Sequence, residues 1–126
     1  MDFRQLKEIA ITIYHNMRAD GIRVDGIILF GSHAKGVATA ESDIDLAILS
    51  RDFGVDRFKE GALVNIYANR VDHRAEAIPL SFHEFFERFP ISPIHAEVQK
   101  DGVFLIWEGV LPRYYAASVS SRLKIL

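Results

Sequence analysis

Between Phe3 and Met17 the apolar positions Phe3, Leu6, Ala10, Ile13 and Met17 recur at intervals of three and four, which lines them along one face of a helix. Ile9 and Ile11 widen that face, so the helix is expected to pack broadly on a sheet. Asp2 stands where an N-cap belongs and Gly21 where the helix ends. The period then changes. Val24 to Phe30 is short, rich in isoleucine and bounded by glycines, the pattern of a buried strand. Ser42 to Leu49 alternates, with Ile44, Leu46 and Ile48 on one face and Asp43, Asp45 and Ala47 on the other. One face belongs to a core, and the other carries acid.

After the turn Ser50-Arg51-Asp52-Phe53-Gly54, the residues Val55, Phe58, Ala62 and either Asn65 or Ile66 fall at roughly helical spacing. A helix from Val55 to about Asn69 follows, with Gly61 weakening it by about 1 kcal/mol relative to alanine. Arg74 to Pro79 is short and alternating, a third strand that ends at the proline and holds Glu76. Ser81 and Glu84 form a capping box for a helix bearing Phe82, Phe85, Phe86 and Phe89, a stripe read as core, and Pro90 ends it. Ser92 caps the next helix, with Pro93 at its first position and Gly102 at its end, and Val103 to Trp107 makes a fourth strand. From residue 110 to 126 the pattern fades into Pro112, a Tyr114-Tyr115 pair and scattered serines.

The resulting order is helix, strand, strand, helix, strand, helix, helix, strand, with no repeat and no linker. It predicts an α/β (α+β) domain over residues 1–109, a small mixed sheet packed with helices, followed by a tail at 110–126. A chain of 126 residues is enough for one core, and its 49% apolar and 25% charged residues exclude disorder. The net charge of -2 gives no general attraction to a phosphate backbone, so a long nucleic acid is not the expected partner. The lack of cysteine removes disulfides and thiolate metal sites. No apolar run is long enough to span a membrane, and Met-Asp-Phe-Arg-Gln lacks the regions of a signal peptide, so a cytoplasmic location is expected.

Candidate chemistry gathers between the first two strands. Gly31 lets the backbone approach a ligand closely, and Ser32 offers a hydroxyl and an N–H to phosphate oxygens. If residues 32 to 36 begin a short helix, its first amides also favour an anion. Asp43 and Asp45 leave the same side of a strand about 6.6 Å apart at the backbone and can converge on one ion. Two such charges at 4 Å repel by roughly 4 kcal/mol at an effective dielectric of 20, a repulsion that a divalent cation reverses, and hard oxygen ligands favour Mg²⁺. The five histidines show no spacing of a helical zinc site. Ser32 lacks both the Gly-x-Ser-x-Gly frame and a P-loop.

Gly31-Ser32, ten residues, then Asp43-Ile44-Asp45 opening an apolar strand resembles the signature of the DNA polymerase beta-like nucleotidyltransferase superfamily, with Ser42-Asp-Ile-Asp-Leu-Ala-Ile48 similar to its commonest wording. In its shortness the chain resembles the minimal nucleotidyltransferase (MNT) proteins, the antitoxins of HEPN-domain ribonuclease toxins. The resemblance implies a nucleotidyltransferase fold in which Gly31 and Ser32 hold the β- and γ-phosphates of a nucleoside triphosphate; Lys35, whose charge could neutralise phosphate, and Ser42 are further nucleotide-binding candidates. It implies that Asp43 and Asp45 hold Mg²⁺ and that Glu76, where the family more often has aspartate, is the third metal-binding and catalytic carboxylate. His33-Ala34-Lys35-Gly36 departs from the family, which often has arginines there.

The implied activity is transfer of AMP from ATP to a hydroxyl, a tyrosine of a partner HEPN toxin, by an antitoxin that could form a homo- or hetero-oligomer. Two competing functions are an antitoxin that neutralises its partner by binding alone and a nucleotidyltransferase acting on a small molecule. Nothing in the residues themselves selects adenine.

Overall fold

A computed structural model of the chain describes residues 1–86 and 92–108. Helix α1 (Phe3–Ala19) begins at a reciprocal cap, in which Gln5 N–H donates to the Asp2 carboxylate at 2.9 Å and Asp2 N–H donates to the Gln5 side chain at 2.8 Å. Leu6, Ala10, Ile13 and Met17 are buried. Ile9 joins the margin of the core, but Phe3 and Ile11 face outward, so the inward face is narrower than its apolar residues suggest.

Strand β1 (Gly26–Phe30) is buried throughout, as its unbroken apolar run requires. One turn of helix, α2 (Gly31–Lys35), and a return loop lead into β2 (Ile44–Leu49), antiparallel to β1 with Phe30 opposite Asp45. Strand β3 (Ala75–Leu80) pairs in parallel with β2, which demands a crossover, and α3 (Arg57–Val71) supplies it. Strand β4 (Val103–Trp107) pairs antiparallel with the other side of β1, giving the order β3-β2-β1-β4. Being an edge strand, β3 tolerates Pro79 and continues one residue past it to Leu80.

The sheet is covered on both faces. Ile27, Leu29, Ile44, Leu46 and Ile48 pack under α1 and α3, while Ile28, Phe30, Ala47, Leu49 and Leu80 pack under α4 (Phe82–Phe86) and α5 (Pro93–Asp101). Phe82, Phe85 and Phe86 are buried in that second core, as read. The caps of both helices form as the sequence indicates. Glu84 N–H donates to Ser81 Oγ at 3.1 Å, Ser81 N–H to Glu84 Oε2 at 3.4 Å, and His95 N–H to Ser92 Oγ at 3.2 Å. Phe89, Pro90 and the tail at 110–126 lie outside the described residues, among which no helix is long and apolar enough to cross a membrane.

The register of α3 differs from the apolar count. Its buried positions are Val64, Tyr67 and Ala68, while Val55 and Phe58 are 90% and 88% exposed and Ala62 and Ile66 also face solvent. Two polar devices set this rotation. Asp56 caps the helix through Lys59 N–H at 3.1 Å, and Glu60 accepts from the amides of Gly54, Val55 and Asp56 at 2.9 to 3.1 Å. Further along, the side-chain amides of Asn65 and of the exposed Asn69 reach the free edge of β3. Ala77 N–H donates to Asn65 Oδ1 at 2.9 Å, Asn65 Nδ2 donates to Ala77 C=O at 2.6 Å, and Asn69 Nδ2 donates to Ala75 C=O at 2.7 Å. Backbone groups of an edge strand need partners as much as apolar side chains need burial.

Candidate active site

Gly31 follows β1 with φ +72°, a conformation that side chains with a Cβ rarely adopt. A Cβ built there would lie 3.0 Å from Cγ of Asp45 and closer still to Oδ2. The glycine therefore serves two ends: it turns the chain into α2, and it leaves space for the Asp45 carboxylate against the backbone. The predicted short helix is present, and Gly36, at φ +75°, ends it.

Asp45 and Glu76 are register partners across the parallel pair, so their side chains leave the same sheet face from neighbouring strands about 4.8 Å apart. That face is the one covered further along by α4 and α5, through Ala47, Leu49 and Leu80. Its near end stays open, with Asp45 half-buried and Glu76 and Asp43 exposed. Burial pushes the Asp45 carboxyl above its ordinary value, and the negative charges of Glu76, Asp43 and Glu97 push it further, with His33 opposing them. These five ionisable groups therefore share one electrostatic field. Among the described residues no three His, Cys, Asp or Glu side chains stand as a ready cage for a metal ion. The chemistry of the set nevertheless suits a hard divalent cation: carboxylate oxygens at one sheet end, one of them disfavoured in its charged form by its acidic neighbours.

The other sequence-predicted residues take varied places. Ser32 is half-buried in the first turn of α2. Lys35 is exposed and pairs with Glu97 of α5 at 3.1 Å, which draws its ammonium toward the Glu97 side of the site. Ser42 Oγ accepts from Thr39 N–H at 2.8 Å and so closes the loop that returns to β2. Glu97 escaped the sequence reading because only the packing of α5 on α2 brings it to the site, over 62 residues from Lys35. Asn69 escaped it too, and Asn65 was named only as an alternative to Ile66 on the helical face, although the i, i+4 pair of amides was a signal, since they grip the backbone on either side of Glu76.

Comparison with known proteins agrees with this fold. The model of the Nucleotidyltransferase domain family matches residues 12–101, which include α2, both aspartates, Glu76 and α5. No curated protein matches the chain. The crystal structure of a candidate nucleotidyltransferase from Sulfolobus solfataricus superposes with a TM-score of 0.59 at 18% identity, covering 81% of this chain and 80% of that one. A chain of a toxin-antitoxin structure with AMP-PNP superposes with a TM-score of 0.52 at 18% identity, covering 92% of this chain and 82% of its own length. At such identities the likeness speaks for the fold, and it is the family match over most of the sequence, falling on the glycine turn and the clustered carboxylates, that places this chain in the nucleotidyltransferase domain family.

Proposed function

We propose that the chain transfers AMP from ATP to a tyrosine hydroxyl of a partner HEPN-domain toxin in the cytoplasm, and so acts as its antitoxin. The observation that carries this reading is the register pairing of Asp45 with Glu76 beside the Gly31 turn, which assembles acid from two strands next to a place for phosphate. Gly31 and Ser32 would hold the β- and γ-phosphates, Ser32 through its hydroxyl and N–H, with Lys35 and Ser42 at the edge of the nucleotide. Asp43, Asp45 and Glu76 would hold Mg²⁺. When bound, Mg²⁺ supplies neutralisation of phosphate charge and makes the attacking hydroxyl more acidic.

Glu76, exposed on the edge strand, is the carboxylate that takes the proton of the acceptor. The tyrosine oxygen forms a bond to the α-phosphorus while the bond from that phosphorus to the bridging oxygen breaks. Pyrophosphate departs with the bond electrons, and the acceptor carries AMP. The fold shared with a chain of a toxin-antitoxin structure holding an ATP analogue supports both nucleotide and toxin. The HEPN identity of the partner rests on resemblance to short MNT antitoxins, and the exposed apolar positions of α3 would serve the competing reading, neutralisation by binding alone.

The experiment is incubation with ATP labelled at the α-phosphate, Mg²⁺ and the protein product of the adjacent reading frame. Wild type should label a tyrosine of the partner, and Asp43→Ala with Asp45→Ala should reduce labelling by at least a hundredfold. Equal neutralisation of the partner by the double mutant, with no label transferred by wild type, would leave binding alone as the function. Label on a small hydroxylated acceptor instead would redirect the substrate class.

A further inference from the structure

Beside the free edge of β3 lies a cavity of about 420 Å³, lined by Arg57, Ile78, Pro79, Ser92, Ile94 and His95. It has the volume of a small-ligand site, and its walls are mostly apolar. Ile78 is two residues beyond Glu76 on the same strand, so the cavity begins one pleat, about 6.6 Å, from the proposed catalytic carboxylate and on the same sheet face. Its position relative to the phosphate turn decides what it can hold. Gly31 follows β1, Asp45 is on β2 and Glu76 is on β3, so the three stand in the order of the strands across the sheet.

In-line displacement requires the attacking oxygen and the leaving oxygen to stand on opposite sides of the phosphorus. With pyrophosphate at Gly31-Ser32 and the α-phosphorus over the aspartates, the attacker must arrive over Glu76 from the β3 side. The cavity adjoins that approach, one pleat along β3 at Ile78. We infer that this cavity seats the acceptor side chain, an aromatic ring bearing the hydroxyl, presented by a partner protein. The inference rests on the transfer reading above and adds to it where the acceptor enters and what holds it.

The lining fits an aromatic ring. Ile78, Pro79 and Ile94 give flat apolar walls, and Arg57, anchored through Glu84 at 2.9 Å yet half-exposed, can lay a guanidinium against a π-face. His95 closes the floor, buried to 6% exposure, and burial holds it below its ordinary pKa against the pull of Glu84. A neutral imidazole there adds no charge that would repel Arg57 or attract a second anion. Ile94 of the lining is 48% exposed, and Val55 and Phe58, near Arg57 in the chain, are 90% and 88% exposed. A free small acceptor has no use for exposed apolar residues of this kind, whereas a protein carrying its tyrosine on an exposed segment can bury them.

The test uses p-cresol, the tyrosine side chain without its backbone, titrated into the whole chain and followed by methyl NMR. The methyls of Ile78 and Ile94 should shift on titration, and Ile94→Trp, which fills the mouth from a surface position, should weaken p-cresol binding at least tenfold. A non-hydrolysable ATP analogue with Mg²⁺ should leave p-cresol in place, because donor and acceptor occupy different ground. Displacement of p-cresol by the nucleotide would assign the cavity to the nucleotide and overturn the proposal, as would shifts confined to other methyls. Equal affinity in Ile94→Trp would overturn it too. The transfer reading fails separately, if wild type labels no partner while p-cresol still binds at Ile78 and Ile94. Labelling by wild type that Ile94→Trp leaves undiminished would instead remove the acceptor seat and keep the transfer.

Discussion

Gly31 and Gly36 sit five residues apart with nearly the same positive φ, +72° and +75°, yet their surroundings differ. A Cβ at Gly36 meets open space, whereas one at Gly31 meets the Asp45 carboxylate. Gly36→Ala should therefore cost about 1 kcal/mol, the strain of the left-handed backbone alone, and leave nucleotide binding intact. Gly31→Ala adds a collision with a side chain placed by the sheet register, so a loss of about 2 to 3 kcal/mol is expected together with loss of binding of a fluorescent ATP analogue. Urea denaturation and a fluorescence titration on the two variants check both statements. The sequence marks Gly31 as a turn at a strand end. It could not show the carboxylate resting on that turn, because the contact depends on the antiparallel pairing of Phe30 with Asp45.

Helix α3 and strand β3 act as one element, and here the amino-acid pattern misleads. The helical spacing selects Val55, Phe58, Ala62 and either Asn65 or Ile66; Val55, Phe58, Ala62 and Ile66 face solvent, while Asn65, partly buried, and Asn69, exposed, hold the backbone of Ala77 and Ala75. Helical periodicity assumes that apolar contact sets the rotation of a helix. Where an unpaired strand edge is available, amide side chains compete with that rule. Asn65→Ala should destabilise the fold by about 2 kcal/mol, since it leaves both the N–H and the C=O of Ala77 without their partner. Because Ala77 adjoins Glu76, the rate of the proposed transfer should fall further than stability explains at temperatures where the variant is fully folded. Circular dichroism melts beside initial rates of label transfer separate the two effects.

For the molecule as a whole, acid should unfold it partly through the joint between α3 and β3. Arg74 holds the Asp72 carboxyl at about 2 against an ordinary 3.8, through side-chain and backbone hydrogen bonds, among them contacts of 2.8 and 2.9 Å. The folded value is depressed, so this contribution is complete above about pH 4 and is lost as pH falls toward 2, about 1 kcal/mol once solvent screening around Arg74 is allowed for. Asp45, pushed upward, works in the opposite sense, so the comparison is between wild type and Asp72→Asn. Wild type should lose more stability than the variant between pH 4 and pH 2.5 in urea titrations. At this scale most of the architecture could be read from sequence, because strands, caps and breakers are local signals, as Ser81, Ser92 and Pro93 illustrate. The approach of Glu97 to Lys35 could not, since it arises from the docking of two helices far apart in the chain. The stretch between Ser32 and Asp43 is also a measuring rod. One turn of α2, a left-handed glycine and the loop closed by Thr39 and Ser42 together return the chain so that Asp45 faces the open end of the sheet and Ile44 faces the core. Lengthening that rod by a single residue, with the strand slipping to match, would turn Ile44 and Leu46 outward and drive the carboxylates into the apolar layer. The spacing in this family signature is thus a length standard for the fold as well as a label for its chemistry.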